Sequence, residues 1–130
     1  MKKKQTNNFA YVYVLCSVLC ALFFSISSFA APNEFIEKST AVVRIMNKAA
    51  GKAQTINIPV GRDVEFDKLK ITVKNCKQSG PYSALDYFAF MQIWKKPSDA
   101  RIFSGWMVAN EPGENPLQDA DYDLWLVRCE

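Results

Sequence analysis

The segment LKITVK, Leu69–Lys74, carries the clearest strand pattern in this sequence. Positions 69, 71 and 73 are apolar, and positions 70, 72 and 74 are polar. Successive side chains of a β-strand point to opposite faces, so this period of two predicts a strand with one face in a core and one in water. Half-buried strands of this kind are typical of antiparallel sheets.

Five more strands are predicted around this segment, separated by turns and loops that contain glycine or proline. They are Thr40–Lys48, Gln54–Val60, Tyr87–Lys96, Arg101–Ala109 and Tyr122–Cys129. With no long helical pattern and no repeat, these strands predict an all-β fold, either a small antiparallel sandwich or a partly closed barrel of about six strands. We assign residues 41–130 to this single domain and residues 31–40 to a short linker.

The first thirty residues resemble a secretory signal peptide. Three lysines, positions 2–4, precede an apolar run over residues 9–24, and the small residues Ser28 and Ala30 follow. This order predicts export to the periplasm and cleavage after Ala30. The alternative is a retained membrane anchor, since the run and its tail approach the ~30 Å of a bilayer core. A lipoprotein is disfavoured because leucine precedes both Cys16 and Cys20.

Removal of residues 1–30 changes the charge of the chain. The whole sequence has 16 basic and 13 acidic groups, and three of the lysines lie in the signal segment. The mature chain is therefore formally neutral. A neutral domain is a poor candidate for nucleic-acid binding and offers no polybasic patch to anionic lipid. We expect contact with the membrane only through the signal peptide before cleavage.

Two cysteines, Cys76 and Cys129, remain in the mature chain. In a small exported domain such a pair predicts one disulfide, and two buried or reactive thiols are the alternative. A bridge over this loop would stabilise the fold by roughly 4 kcal/mol on the loop-entropy model.

The composition excludes several classes of enzyme. The sequence has no histidine, and its five glycines are isolated, so Ser-His and Cys-His catalysis, histidine metal sites and glycine-rich phosphate loops lack their residues. We expect no cofactor, no metal and no catalytic residue. Carboxylate chemistry and a Ser-Lys arrangement, which has no local sequence pattern here, remain as the enzymatic alternatives.

The acidic residues near the end of the chain do not select a site. Asp119, Asp121 and Asp123 match positions 1, 3 and 5 of a calcium loop, but Leu124 stands where that loop needs glycine. A hydrolase needs two carboxylates at a fixed separation. The spacing favours no pair among Asp86, Glu111, Glu114, Asp119, Asp121 and Asp123.

The aromatic residues have two interpretations. Trp106 and Trp125 are expected in the core, and the alternative is an exposed platform for a glycan or a partner, formed by Tyr82, Tyr87, Trp94, Trp106, Tyr122 and Trp125. Gly105 in the middle of its strand predicts a bulge, or a close approach of an aromatic ring.

Several blocks resemble a known bacterial family. They are IPVG at 58–61, FDKLKITVKNC at 66–76, AFMQIW at 89–94, FSGWM at 103–107 with Pro112, and YDLWLVRC at 122–129. In this order they resemble domain-of-unknown-function family 2155 over residues 41–129. The resemblance implies a small exported envelope protein, supports the Cys76–Cys129 pairing, and brings no catalytic residues. Gly105, Trp106, Tyr122, Asp123 and Trp125 belong to its structural motif.

The chain departs from the family pattern in the last loop. The family is expected to have Ala-Ser-Ser-Pro after Gly-Trp-Met and His-Pro before Tyr-Asp, where this chain has residues 109–112 and 119–121. The missing histidine weakens a catalytic interpretation of the loop.

The sequence therefore predicts a non-catalytic binding or accessory module of the cell envelope. Its partner is expected to be an envelope protein or assembly, contacted through Glu111, Glu114, Asp119 and Trp94. A carboxylate-dependent cell-wall hydrolase, or an inhibitor of one, is the alternative.

Overall fold

The computed structural model describes residues 12–15 and 34–130. The chain divides into two compact units, Met1–Pro32 and Asn33–Glu130. Of the first unit only the short helical segment at 12–15 is described, so the predicted signal peptide and its cleavage after Ala30 lie outside the described residues. Within residues 12–15 and 34–130, no helix has the length and apolar character to cross a bilayer.

Eight strands form the described part of the second unit. They are β1 Ile36–Glu37, β2 Thr40–Asn47, β3 Lys52–Pro59, β4 Asp63–Phe66, β5 Leu69–Gln78, β6 Tyr87–Lys95, β7 Ala100–Val108 and β8 Tyr122–Cys129. Every pairing between them is antiparallel. The all-β prediction is confirmed.

The strands make two sheets. A five-stranded sheet has the order β1-β5-β6-β7, with β4 also paired to β5, and a three-stranded sheet has the order β3-β2-β8. Neither sheet closes on itself, so the sandwich forms and the partly closed barrel does not. Strands β7 and β8 are edge strands, and the last loop joins one sheet to the other between them.

The core lies between the inner faces of the two sheets. The predicted alternation holds in β5, where Leu69, Ile71 and Val73 are fully buried. The same face of β6 buries Met91 and Ile93. Buried residues of β2 and β8 in the other sheet belong to the same cluster. Apolar side chains from both sheets therefore pack together, which is how a domain of this size removes enough apolar surface from water.

The Cys76–Cys129 disulfide is present and confirms the predicted bridge. It joins β5 of the five-stranded sheet to β8 of the three-stranded sheet, and the Cα atoms of the two cysteines are 5.7 Å apart. Both cysteines are buried in the core cluster. The covalent link thus holds the two layers together from within.

Two of the eight strands were not among the six predicted. Strand β1 has two residues and lies in the segment assigned to a linker, and β4 has four. A period of two is not recognisable over so few residues, and β1 exists through pairing with the end of β5.

Strand β7 corrects two further expectations. In the pairing of β7 with β6, Phe103 lies opposite Ile93 and Arg101 lies opposite Trp94. Ile102 between them has no partner in β6 and is the extra residue of a bulge, so the bulge is not at Gly105. Beyond the bulge, Phe103 and Met107 are buried while Trp106 is 40% exposed. The expectation that Trp106 lies in the core is wrong, because alternation turns its side chain to the outer face.

Candidate functional site

The loop over residues 109–121, called the strap below, connects β7 to β8. Backbone and side-chain hydrogen bonds fix its beginning. The Ala109 N–H donates to the Tyr87 carbonyl at 2.9 Å, the Asn110 N–H donates to Asp86 Oδ1 at 3.1 Å, and Asn110 Nδ2 donates to the Leu85 carbonyl at 2.9 Å. The strap therefore leaves the five-stranded sheet in a defined direction.

The middle of the strap lies against β7. Asn115 Nδ2 donates to the Trp106 carbonyl at 2.9 Å. A Cβ atom on Gly105 would come within 2.7 Å of that amide nitrogen. Glycine at 105 therefore leaves room for the Asn115 amide, and the Phe103 ring is only an ordinary 3.6 Å neighbour. Two residues further on, Leu117 inserts into the core and is 4% exposed.

Asp119 fixes the end of the strap. Its carboxylate accepts from Lys95 Nζ at 2.9 and 3.0 Å and from the backbone N–H groups of Asp121 and Tyr122 at 2.9 and 3.1 Å. Burial by itself raises the pKa of this carboxyl, but the Lys95 ammonium and the two N–H groups outweigh burial, and the net pKa lies below its usual value. Asp119 is thus an internal anchor.

The neighbouring aspartates are also paired with lysines. Lys95 Nζ lies 2.6 Å from Asp121 Oδ2, and Lys48 Nζ lies 3.0 Å from Asp123 Oδ1. The hydrogen bonds that Lys95 donates to Asp121 and Asp119, in that order of effect, raise the pKa of Lys95. The three aspartates that resemble a calcium frame are therefore part of a lysine–aspartate network at the start of β8.

Tyr122 extends this network into the core. Its side chain is 2% exposed, and its hydroxyl donates to Asp67 Oδ2 in the turn between β4 and β5. Burial, followed by the Asp67 bond and charge, raises the pKa of the hydroxyl. The alternative of an exposed platform would have included Tyr122, but Tyr122 is a core residue that joins the two sheets.

A pocket of about 350 Å³ lies between the strap and β8. The strap contributes Pro112, Gly113, Pro116 and Leu117, and β8 contributes Asp123, Leu124 and Trp125. Asp123 is the only charged residue of the lining, and it is already paired with Lys48. The pocket is therefore mainly apolar, and its volume lies at the small end of the usual range for ligand sites.

Two exposed carboxylates sit on the same loop. Glu111 and Glu114 belong to one turn, since the Glu114 N–H donates to the Glu111 carbonyl at 3.0 Å. The pKa of the Glu111 carboxyl is raised, first by a side-chain hydrogen bond with Glu114 and then by the charge of Glu114. Burial and the charge of Asp86 raise it further by smaller amounts. Like charges held this close would be relieved by a cation.

The predicted partner surface is divided by the structure. Glu111 and Glu114 lie together on the strap, but Asp119 faces Lys95. Trp94 lies on the outer face of β6, where Lys70 Nζ is 4.9 Å from its ring centroid. Trp125, expected in the core, is only partly buried and lines the pocket.

The pocket itself was not predicted from the sequence. Leu117 is the signal that could have indicated it, because it is the one large apolar residue between Asn110 and Asp121. Such a residue in a polar loop is expected to anchor the loop to the core. In residues 12–15 and 34–130, no three His, Cys, Asp or Glu side chains are placed to hold a metal ion.

The fold and the site define a small domain of two antiparallel sheets, bridged by one disulfide, with an apolar pocket beneath its last loop. A family model described as an uncharacterized protein conserved in bacteria (DUF2155) matches residues 41–129. The chain belongs to this family, and the resemblance noted in its sequence is confirmed. No curated protein and no solved structure matches the chain.

Proposed function

We propose that this chain is an exported, non-catalytic binding module of the bacterial cell envelope, and that it captures a partner protein in the pocket beneath the strap. The observation that carries the proposal is the pocket itself, which is apolar and lies between a strand and a loop tied down at both ends.

The anchoring of the strap supports binding without rearrangement. Asn110 fixes the loop at its start, Asn115 in its middle and Asp119 at its end. A loop that is already ordered loses little conformational entropy when it binds, so more of the contact energy appears as affinity. Two prolines in the wall, Pro112 and Pro116, restrict the backbone further.

The lining and the charge indicate the kind of partner. Leu117, Leu124 and Trp125 would surround an apolar side chain. Glu111 and Glu114 would receive a lysine or arginine close to it in the partner, which would also relieve their mutual repulsion. We infer a protein segment in which an apolar residue is flanked by a basic one.

The residue inventory supports binding rather than catalysis. The sequence has no histidine, and both cysteines of the domain are bonded to each other. Asp119 would be a poor general acid, since its lysine partner holds its pKa low.

Photo-crosslinking in living cells tests the proposal. A photoreactive residue at position 114 is expected to capture one recurrent envelope protein. The same residue at position 82 is the control, because Tyr82 is 99% exposed in a different loop. Capture should be lost in Glu111→Lys and Trp125→Ala and kept in Lys52→Gln, which changes an exposed lysine of β3.

Identical captures at positions 82 and 114, or no capture at position 114, would refute the pocket as the binding site. Export is checked separately by mass spectrometry of the periplasmic fraction. A mature chain that begins at Ala31 is expected, and recovery of the full-length chain from the membrane would instead support a retained anchor.

A further inference from the structure

The outer face of the five-stranded sheet, which points away from the core, carries an aromatic surface. Trp94 and Phe90 alternate with the buried residues of β6, and Trp106 lies opposite Phe90 on β7. Phe35 packs edge-on against Phe88 at the end of this surface. Together with Lys70 and Lys77 of β5, these residues make up the lysine–aromatic face.

Two lysine–tryptophan couples occur on this face. Lys70 Nζ lies 4.9 Å from the centroid of the Trp94 ring, and Lys77 Nζ lies 4.6 Å from the centroid of the Trp106 ring. Lys77 Nζ also lies 4.0 Å from the Phe35 ring. The same combination of an ammonium group and an indole is therefore present twice on one sheet.

The surface is open to solvent. Phe35 is 42% exposed and Trp106 is 40% exposed. Rings of this size in one exposed patch are uncommon on a small domain unless something binds there. The edge-to-face contact between Phe90 and Trp106, with centroids 5.5 Å apart, holds the indole in place.

The lysines of this face have few anionic partners within the described residues. In the described part of the chain, Lys77 makes no ion pair, and Lys70 reaches only Asp63 at 3.6 Å. Asp63 in turn accepts a shorter hydrogen bond from the Thr72 hydroxyl. Each ammonium therefore rests on a ring, an arrangement that is weak at an exposed site and so readily given up.

The couples are widely separated along the sheet. Lys70 is opposite Trp94, and the second indole, Trp106, is opposite Phe90, four residues further along β6. At about 3.4 Å per residue the two indoles are about 14 Å apart along the strands. One small ligand cannot span both couples, but a chain of repeating units can.

We propose that the lysine–aromatic face binds an anionic glycan chain, whose sugar rings stack on Trp94 and Trp106 and whose carboxylates pair with Lys70 and Lys77. On binding, each ammonium moves from its ring to a carboxylate of the glycan. The indole that the ammonium uncovers then stacks on the apolar face of a sugar ring. A repeating polymer that offers a ring and an anion in each unit matches a face that repeats an indole and a cation. This site is separate from the strap pocket.

Titration of the purified mature protein with polygalacturonate tests the proposal, with tryptophan fluorescence as the signal. Fully methyl-esterified polygalacturonate is the matched uncharged probe, and poly-glutamate is the anionic probe without sugar rings. Polygalacturonate is expected to bind and to lose affinity with rising salt. The ester and poly-glutamate should bind at least about tenfold more weakly, since each lacks one of the two interactions.

Variants assign the binding to the face. Lys70→Gln and Lys77→Gln should each weaken binding of polygalacturonate by about tenfold, as expected for a charge-assisted hydrogen bond. Trp106→Ala should weaken it as well. Lys52→Gln on the other sheet and Tyr82→Ala in an exposed loop are the matched controls and should bind as the wild type does.

Three results would overturn the proposal: no binding of polygalacturonate, binding unchanged in the double lysine variant, or equal affinity for poly-glutamate. The last result would assign the face to an acidic protein. A thermal melt of each variant establishes that a lost signal does not come from unfolding.

Discussion

The strap and the lysine–aromatic face are both exposed, but they are built in different ways. The strap is held by specific hydrogen bonds, a part-buried one at Asp119 and an exposed one at Asn115, and these bonds position the wall of its pocket. The face consists of long side chains lying on rings, and its lysines have no strong partner in the described residues.

This difference predicts different kinds of recognition. A preformed apolar pocket selects by shape and depends on the bonds that position its wall. A surface of movable cations and fixed rings selects by charge and tolerates variation along a polymer. Changes to the anchors should therefore affect only the strap pocket, while changes to surface lysines should affect only the face.

Loss of the disulfide should have the largest effect on stability, and it should affect the two sheets to different extents. In a Cys76→Ser, Cys129→Ser variant, the free energy of unfolding should fall by roughly 4 kcal/mol, since a bridge across 53 positions no longer restricts the unfolded chain. Hydrogen exchange should rise first in β8, an edge strand paired only with β2, while amides of β5 and β6 keep more protection. An equal loss of protection in both sheets would show that the bridge does not act locally.

Removal of the Asp119 anchor should have the next largest effect on stability. Asp119→Asn should lower the free energy of unfolding by about 2 kcal/mol, because a nearly buried, charge-assisted network loses the negative charge and one of the two oxygens that accept from Lys95. Asp121→Asn is the matched control, since its carboxylate shares Lys95 but is 58% exposed, and it should cost less than about 1 kcal/mol. Urea unfolding measures both, and equal effects would contradict the assigned role.

The pH dependence of this anchor has a definite sign. The folded pKa of Asp119 lies below its unfolded value of about 3.9. Its stabilisation is therefore complete above that unfolded value and disappears as the pH falls through the folded pKa. The difference between wild type and Asp119→Asn should shrink progressively below about pH 4.

Gly105→Ala should have a smaller and more selective effect. The added methyl group would displace the Asn115 amide from the Trp106 carbonyl, which should cost about 1 kcal/mol and loosen the strap. Partner capture at position 114 should weaken, while binding of polygalacturonate should not change. Gly113→Ala is the stability control, because its Cβ would meet no atom within 4 Å. Equal loss of stability in the two variants would contradict this explanation.

Glu111→Gln should have the smallest effect on stability. The folded pKa of Glu111 is raised, so the fold disfavours its ionised form, and the neutral amide should raise the urea midpoint slightly at pH 7. The advantage of the variant should vanish as the pH falls below the unfolded pKa of glutamate, about 4.3. A lower midpoint at pH 7 would show that the Glu111 charge has a stabilising partner.

The sequence was sufficient for the strands that are long enough to alternate. Six of the eight strands lie within a few residues of their predicted bounds, because positions such as Leu69 and Ile71 report a buried face directly. The disulfide also followed from the residue count, since only two cysteines remain in the domain.

The sequence was not sufficient for the site, because the site depends on which strand face turns inward. Phe103 and Trp106 are both large and aromatic, and only the bulge at Ile102 and the pairing with β6 decide that Phe103 is buried. The Lys95–Asp119 anchor joins residues 24 positions apart in different elements, and no local pattern reports such a contact.

The two ends of the domain are joined at one place. The Thr40 and Glu130 backbones exchange hydrogen bonds of 2.8 Å in both directions, and Ser39 N–H donates to Glu130 at 3.1 Å. A force applied between residue 34 and residue 130 would break the hydrogen bonds between β2 and β8 one after another, starting at Thr40 and Glu130. The extension would stop at Cys76, because the disulfide to Cys129 carries the load from there. The segment from residue 77 to residue 128, which includes the strap and the two tryptophans of the face, would be shielded from mechanical tension.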